Sequence, residues 1–345
     1  MAVMVGVGRA ARCGVLVRRP AALEALVTAD TLCIDKTGTL TEGRPDVAQI
    51  LPAPGVSGQR LLALAASLEA HSEHPLGAAI VRAAREQGIS ALPVEGFVAM
   101  PGGGVAGVVE GVHLAAGTPE FVAAAATVPA AETAGRSRVD VAADGRWLGT
   151  GLLADKVKPT ARIARDDLRR AGLRGVMLTG DREDAARAVA AETGIAEFRA
   201  GMGPGDKAEA VRALQREGRR VCMAGDGVND APALAAAATG IAMGAGSDVA
   251  KETADFILVH GSLDGVARTF ALARAITRNI RQNLFLAIAY NALGIPVAAG
   301  ALYPLTGWLL SPMIAGAAMS LSSVSVIGNA LRLARAGVPG IHSTR

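Results

Sequence analysis

Aromatic side chains are scarce in this chain of 345 residues, where they make up only 3% of the composition. Proteins that bind single-stranded nucleic acids stack the bases on aromatic rings, and this sequence offers little for such a surface. Lysine and arginine exceed the acidic residues only slightly, with a formal net charge of +4, and they form no dense basic run. These two absences argue against nucleic acid as a partner.

Cysteine is rare as well. Cys13, Cys33 and Cys222 are far apart, and no two of them have a Cys-x-x-Cys spacing. Such a distribution carries neither a zinc-binding nor a disulfide signature. It fits a reducing compartment, in which the three thiols are small core residues.

One long part of the chain has no charged residue. Residues 283–331, 49 in all, contain no Asp, Glu, Lys or Arg, which is enough for two membrane spans. We predict spans over Asn283–Leu302 and Leu309–Leu331, joined by a turn with interfacial aromatics. A buried helical pair in a soluble core is the weaker alternative for so long an uncharged stretch. Arginines flank both ends and predict that both ends are cytoplasmic: Arg274, Arg278, Arg281, Arg332 and Arg335.

The opening residues Met1–Arg12 are small and apolar apart from two arginines. They are too short to cross a bilayer and lack the pattern of a secretory signal. We interpret this segment as the tail of something longer, and the family resemblance given below implies that residues 1–26 are the cytoplasmic end of a preceding membrane helix and its stalk.

Between the two ends, short apolar runs alternate with helical stretches, which predicts βα units and a doubly wound parallel sheet. Ala161–Gly172, Arg182–Gly194 and Gly205–Glu217 are the predicted intervening helices. Residues 44–149 have a different pattern, with helix signals over Gln59–Glu69 and Leu76–Gln87 followed by short strands. We predict that this block is an α+β domain inserted into the first.

Polar groups follow several of the predicted strands. Asp35 follows "LCI", Thr179-Gly180-Asp181 follows "GVML", and Asp226 and Asp230 follow "VCMA". Parallel sheets gather such groups at the carboxyl ends of their strands. A carboxylate there can attack a phosphoryl group, and further carboxylates can hold Mg²⁺. A lysine such as Lys207 can stabilise the charge on the transferring phosphoryl oxygens.

The motifs "DKTGTLT", "TGD" and "GDGVNDAPAL", in that order, resemble those of the P-type ATPases, whose catalytic core is a haloacid-dehalogenase-like domain. The resemblance implies that Asp35 is phosphorylated by ATP. It implies that Mg²⁺ is held by Asp35, Asp226, Asp230 and the backbone carbonyl of Thr37. It places the remaining catalytic residues around the phosphoryl group: Lys36, Thr179, Gly180, Asp181, Lys207 and Asn229.

Residue 37 is a Thr, whereas related phosphatases usually carry a second Asp two residues after the nucleophile. A Thr cannot take a proton from an attacking water at neutral pH, so the aspartyl phosphate would persist. A pump needs the phosphorylated form to persist, because the protein must change conformation before the aspartyl phosphate is hydrolysed. This feature disfavours one alternative, a phosphatase of the same superfamily. Another alternative, a non-catalytic ATP-binding membrane subunit or remnant, is weakened because every phosphorylation residue is intact.

The inserted block resembles the nucleotide-binding domain of the heavy-metal branch through "SEHPLG" and "PGGGVAG". The resemblance implies that Glu69 and His74 contact adenine, and that Gly102 and Gly104 let the backbone approach the nucleotide. Taken alone, a His-Pro pair is more often a helix start, and three glycines are more often a turn.

The predicted spans resemble the copper(I)/silver branch, in which such residues line the metal path: Tyr290, Asn291, Met319 and Ser323. A thioether is a soft ligand that suits Cu(I) or Ag(I). Alternatively, the polar residues only hold the helices together.

The predicted architecture is therefore a phosphorylation domain (27–43 and 150–261), a nucleotide-binding domain (44–149), a stalk helix (262–282), two spans (283–331) and a cytoplasmic tail (332–345). Asp155 and Lys158 lie where the chain returns from the insertion, and we expect them at the hinge or the site.

Full-length pumps also carry an actuator domain and a Cys-Pro-Cys span. The sequence therefore resembles the C-terminal half of a cell-membrane pump with cytoplasmic catalytic domains. We expect it to bind Mg-ATP and to phosphorylate Asp35, but not to transport alone.

Overall fold

A computed structural model describes residues 2–130, 133, 135–244, 246–299 and 312–335. The chain forms two compact units. The first contains Met1–Asp35, Thr160–Val176 and Gly203–Arg345, and the second contains Lys36–Pro159 and Met177–Met202.

The described strands are β1 (Val15–Val17), β2 (Thr31–Asp35), β3 (Thr41–Pro52), β4 (Glu95–Met100), β5 (Gly104–Val109), β6 (Val112–Gly117), β7 (Ser137–Ala143), β8 (Arg146–Val157), β9 (Arg174–Leu178), β10 (Glu197–Arg199), β11 (Val221–Gly225), β12 (Thr239–Met243) and β13 (Phe256–Leu258). The described helices are α1 (Ala2–Arg12), α2 (Ala22–Thr28), α3 (Gly58–Glu69), α4 (Pro75–Glu86), α5 (Pro119–Ala123), α6 (Ala161–Arg170), α7 (Glu183–Thr193), α8 (Pro204–Arg216), α9 (Ala231–Ala236), α10 (Asp248–Thr253), α11 (Leu263–Ala298) and α12 (Pro312–Arg335).

The first unit is built on a mainly parallel sheet in which β13, β12, β11 and β2 are successive neighbours. Strand β1 joins its edge antiparallel to β13. Every residue of β2, β11 and β12 is buried, as expected for parallel strands covered on both faces. The predicted parallel α/β sheet is confirmed, and it places the ends of β2 and β11 side by side.

The three predicted βα helices are confirmed as α6, α7 and α8, each within a few residues of its predicted ends. In the first unit, α6 packs against the long helix α11, while α8, α9 and α10 form a separate group. Pro204 begins α8, where its missing N–H costs nothing, and the Asp206 carboxylate accepts the Gly203 N–H at 2.9 Å. This start places Lys207 in the first turn of α8.

Helices α11 and α12 pack against each other and against α1. Their junction contains buried asparagines: Asn279 Nδ2 donates to the Asn329 carbonyl at 2.8 Å, and Asn329 Nδ2 donates to Asn283 Oδ1 at 2.7 Å. Within the described ranges, no helix combines the length and the apolar character needed to cross a membrane. The predicted turn between the spans lies outside the described residues, and the membrane hairpin stays a prediction.

The second unit contains a six-stranded antiparallel sheet in the order β3-β8-β7-β6-β5-β4, with α3 and α4 packed on it. The two helices confirm the helix predictions for this block, each beginning one residue early. Apolar residues of α3 and of the inner strands form its core, including Leu61, Leu68, Val141 and Leu153. Strands β3 and β8 are twelve residues long and pair from Thr41↔Val157 to Pro52↔Gly149, with two shifts of register. The predicted domain boundaries at 43/44 and 149/150 fall inside these two strands, and they stay predictions.

Candidate active site

Three carboxylates meet at the carboxyl edge of the parallel sheet in the first unit. Asp35 is the last residue of β2, Asp226 follows β11, and Asp230 ends a short turn over Val228–Asp230. One oxygen from each of the three lies within 4.8 Å of the others. The sheet brings them together because β2 and β11 are parallel neighbours whose ends coincide.

Lys207 inserts its ammonium group between two of these carboxylates. Its Nζ donates a hydrogen bond to Asp35 Oδ1 and another, at 2.7 Å, to Asp230 Oδ1. All three residues are buried, with relative exposures of 5% for Asp35, 6% for Lys207 and 1% for Asp230. Charged groups this deeply buried must pair, and the lysine satisfies both acids at once.

The pKa values reflect this crowding. Burial, followed by the charge of Asp230, raises the pKa of Asp35 to about 7, although Lys207 opposes the shift. Burial also acts against the charge of Lys207, but the carboxylates of Asp35 and Asp230 outweigh it and raise the pKa of the lysine. The three carboxylates lie close enough together to hold a further cation between them.

Backbone groups fix the position of Asp230. Its Oδ2 accepts the N–H groups of Asp226 at 3.2 Å and of Gly227 at 3.1 Å. Position 225 requires a glycine, because a Cβ there would lie only 2.7 Å from Asp230 Oδ2. Gly246 similarly leaves room for the backbone carbonyl oxygen of Asp226, which would lie 2.3 Å from a Cβ at position 246. Sequence reasoning missed both of these contacts because they form only when the turns fold together.

Asn229, which the sequence places near the phosphoryl group, lies exposed in the short turn before Asp230. The remaining predicted catalytic residues belong to the second unit. There Lys36 Nζ lies 2.5 Å from Asp181 Oδ2, and Thr179 Oγ1 accepts the Asp181 N–H at 3.1 Å. The side chain of Thr179 is buried, while Thr37 and Gly180 are exposed.

Asp155 and Lys158, expected at the hinge or the site, both hold the segment that follows Lys36. Asp155 accepts hydrogen bonds from Thr41 Oγ1 at 2.5 Å and from the N–H groups of Gly43 and Arg44, each at 3.2 Å. Lys158 Nζ donates to the Gly38 carbonyl. The end of β8 therefore orders the "TGTLT" loop through side chains that lie more than a hundred residues later in the sequence.

Glu69 and His74, the predicted adenine contacts, flank the turn between α3 and α4. Glu69 is buried at the end of α3, and burial raises its pKa against a hydrogen bond from Ser72. His74 caps α4, because its Nδ1 accepts the Leu76 N–H at 3.2 Å. Gly77, which sequence reasoning missed, leaves the space for Glu69: a Cβ there would lie 2.2 Å from Glu69 Oε2.

The two predicted nucleotide glycines differ in their surroundings. Gly102 has a left-handed φ of +75°, and a Cβ there would meet no atom within 4 Å. Gly104 pairs with Gly117 across β5 and β6, and its Cβ would lie 2.2 Å from the Ala116 carbonyl oxygen. Strand packing is thus sufficient to explain Gly104, and only Gly102 borders open space.

The predicted metal-path residues lie on the two long helices. On α11, Tyr290 Oη lies 3.3 Å from Ser325 Oγ of α12, and Asn291 Nδ2 donates to the Ala287 carbonyl. Ser323 of α12 is exposed. The side chain of Met319 lies outside the described residues. Tyr290 therefore has a cross-helix hydrogen-bond partner in Ser325, which sequence reasoning did not single out.

The donor set at the sheet edge consists of hard carboxylate oxygens. Asp35, Asp226 and Asp230 suit a cation such as Mg²⁺, which prefers oxygen ligands, and do not suit a soft metal. Such a cation would oppose the effects of burial and of the Asp230 charge, which together raise the pKa of Asp35. The residues present therefore fit a magnesium site.

Comparisons with known proteins agree with this chemistry. The sequence model of the haloacid dehalogenase-like hydrolase family matches residues 29–238, more than half of the chain. A solved catalytic domain, that of the CPx-ATPase CopB-B, is 32% identical with a TM-score of 0.66, over 76% of this chain and 98% of that one. The chain therefore belongs to the haloacid dehalogenase-like hydrolase family and, within it, to the heavy-metal P-type ATPases.

Two longer proteins match nearly the whole chain. A copper-transporting P-type ATPase of Rhizobium leguminosarum bv. viciae is 51% identical over 96% of this chain and 40% of that protein. The crystal structure of a zinc-transporting PIB-type ATPase in the E2.Pi state is 39% identical with a TM-score of 0.84, over 97% of this chain and 54% of that one. The chain thus spans about half the length of these relatives.

Proposed function

We propose that Asp35 is the nucleophile of an ATP-dependent autophosphorylation. An Asp35 carboxylate oxygen attacks the γ-phosphorus of ATP, the bond to the bridging oxygen of ADP breaks, and an aspartyl phosphate forms. The observation that carries the proposal is the convergence of Lys207, Asp226 and Asp230 on Asp35 in a buried cluster. Lys207 orients the Asp35 oxygen and favours its ionised, nucleophilic form.

The carboxylates of Asp35, Asp226 and Asp230, with the backbone carbonyl of Thr37, would hold Mg²⁺. When bound, Mg²⁺ neutralises part of the charge on the phosphoryl oxygens. Asp230 keeps its ligand geometry through the N–H groups of Asp226 and Gly227, so the site is organised in advance. We assign the other residues singled out by the motifs to phosphoryl binding: Lys36, Thr179, Gly180, Asp181 and Asn229.

Glu69 and His74 would hold the adenine of ATP. Burial favours the neutral form of Glu69, and a neutral carboxyl group can both donate to and accept from the edge of a base. His74 Nδ1 is engaged in capping α4, which aims the opposite edge of the ring away from the helix. Gly102, with open space beside it, is where the backbone would approach the nucleotide.

At the level of the whole protein, we propose ATP-driven translocation of a heavy-metal cation, Cu(I) or Ag(I), across the cell membrane. Helices α11 and α12 would form a hairpin in the bilayer, with both catalytic units in the cytoplasm. Exposed apolar side chains on these helices support a lipid environment: Leu284, Phe285, Ile288, Leu293, Ile295, Leu321, Val324 and Leu331. Tyr290, Asn291, Met319 and Ser323 are the proposed metal-path residues. Asp35 and the residues around it would supply the catalytic part of that activity.

The test is incubation of the detergent-solubilised chain with γ-labelled ATP and Mg²⁺, followed by an acid quench. We expect an acid-stable, hydroxylamine-sensitive label that Asp35→Asn abolishes. Asp248→Asn, at a side chain that is 93% exposed, is the matched control and should keep the label. A label that survives Asp35→Asn would refute the assignment. Hydrolysis of small phosphomonoesters without ATP would instead favour a phosphatase.

A further inference from the structure

Two aromatic rings are paired at the turn between α3 and α4. The ring centroids of His71 and Phe97 lie 5.4 Å apart, with their planes tilted by 42°. His71 is exposed in the turn, and Phe97 is partly buried on β4, where it packs against the core of the second unit. Such tilted geometry is favourable for aromatic pairs.

The position of this pair is informative, because His71 lies between Glu69 and His74 in the same turn. The turn is ordered: the His71 N–H donates to the Leu68 carbonyl at 3.2 Å, and Ser72 Oγ accepts the His74 N–H at 3.2 Å. Packing on Phe97 further restricts the His71 ring, while His71 itself stays exposed in the turn that carries Glu69 and His74.

We propose that His71, supported from behind by Phe97, is the stacking surface for the purine base of the bound nucleotide. The inference rests on the proposed nucleotide-binding function of Glu69 and His74. Those two residues can hydrogen-bond the edge of a base, but hydrogen bonds at an exposed edge compete with water and do not cover the face of the base. A π-face held parallel to the base supplies that contact, and stacking of one base on an aromatic side chain contributes about 1 to 3 kcal/mol.

The competing explanation is that His71 only shields the apolar ring of Phe97 from water. The two explanations differ in what they require of residue 71. Shielding needs an apolar side chain of similar size, so Leu would serve as well as His. Stacking needs a flat aromatic face, so Phe would serve and Leu would not. Substitutions at this one position therefore separate the two.

The test measures the affinity of the full-length chain for ATP by calorimetry, in wild type and in His71→Ala, His71→Leu and His71→Phe. We expect Ala and Leu to weaken ATP binding about tenfold, within the range for one stacked base, and Phe to stay within about twofold of wild type. Inorganic tripolyphosphate, which has no base, should bind all four proteins equally. His113→Ala, at an exposed histidine on β6 of the same unit, is the control and should bind ATP as wild type does.

Wild-type affinity in His71→Leu would overturn the inference and leave the proposed nucleotide site standing. Loss of tripolyphosphate binding together with ATP binding would also overturn it, because the effect would then not concern the base. Failure of the wild-type chain to bind ATP would overturn both this inference and the proposed function. Thermal unfolding midpoints within about 2 °C of wild type would show that the variants are folded.

Discussion

Lys207 Nζ lies 2.7 Å from Asp230 Oδ1, and neither residue is more than 6% exposed. The same ammonium group donates to Asp35, so one lysine from α8 links the ends of two strands. In water such a contact contributes little, but in a buried site the loss of one partner leaves a charge without compensation.

Replacing Lys207 with Met should therefore destabilise the first unit by about 3 to 5 kcal/mol. It should also lower the rate of Asp35 phosphorylation by about 100-fold or more, because a cation at the reacting oxygens is lost. Urea denaturation and the acid-quench assay measure the two effects.

Lys251→Met is the matched control, since Lys251 pairs with Asp248 on the surface at 3.2 Å. Its cost should be at most about 1 kcal/mol. Millimolar Mg²⁺ should restore part of the stability of Lys207→Met, because a divalent cation can occupy the carboxylate cluster. Equal stability of the two variants would contradict this account of the lysine.

Gly225→Ala should displace the Asp230 carboxylate, because the added Cβ would lie 2.7 Å from Oδ2. We expect weaker Mg²⁺ dependence of phosphorylation, seen as a rise in the Mg²⁺ concentration needed for half-maximal label. Gly227→Ala places its Cβ 3.5 Å from the same oxygen, an ordinary contact, and should change this concentration little. Identical Mg²⁺ curves for the two variants would show that Asp230 does not hold the cation.

Asp155→Ala should loosen the loop that follows Lys36, since three hydrogen bonds to one carboxylate are lost. One hydrogen bond to a charged group contributes about 1.5 to 3 kcal/mol, and bonds that share one carboxylate are not additive, so a loss of about 3 kcal/mol or more is expected for the set. Faster amide exchange at Gly43 and Arg44 is the direct readout. A cycle with Thr41→Val should give a coupling energy clearly above zero, whereas additive effects would mean that the two side chains do not interact.

Glu69→Gln should stabilise the second unit at neutral pH. Burial raises the pKa of Glu69 above its ordinary value of 4.5, so folding favours the neutral carboxyl group. The stability from this group is fully present below pH 4.5 and is lost as the pH rises through the folded pKa. The stability advantage of Glu69→Gln should thus grow as the pH rises above 4.5. Glu73→Gln, at an exposed acid in the same turn, is the control for removing one surface charge and should change the stability by at most about 0.5 kcal/mol.

Much of the local structure could be predicted from the sequence. The alternation of apolar runs and helical stretches depends on neighbouring residues, and α6, α7 and α8 accordingly form near their predicted positions. The motifs and their order in the chain also indicated the family. It indicated Asp35, Asp226 and Asp230 as one group, because strand ends in a parallel sheet share an edge.

The contacts that give the site its properties could not be predicted in this way. That Lys207 bridges Asp35 and Asp230 depends on the path of α8 over the sheet, 172 residues after Asp35. The space left by Gly77 for Glu69, and by Gly225 for Asp230, exists only when two turns are packed together. The pairing of His71 with Phe97 requires β4 to lie beside the α3–α4 turn.

The sequence by itself determined which elements form and which chemical groups stand at the strand ends, because periodicity and turn residues act over a few positions. Only the tertiary structure decided which groups are buried together, and burial controls their charge. The pKa of Asp35 near 7 and the raised pKa of Glu69 both follow from the loss of water around a carboxyl group. That loss is a property of packing between distant segments, which no local pattern records.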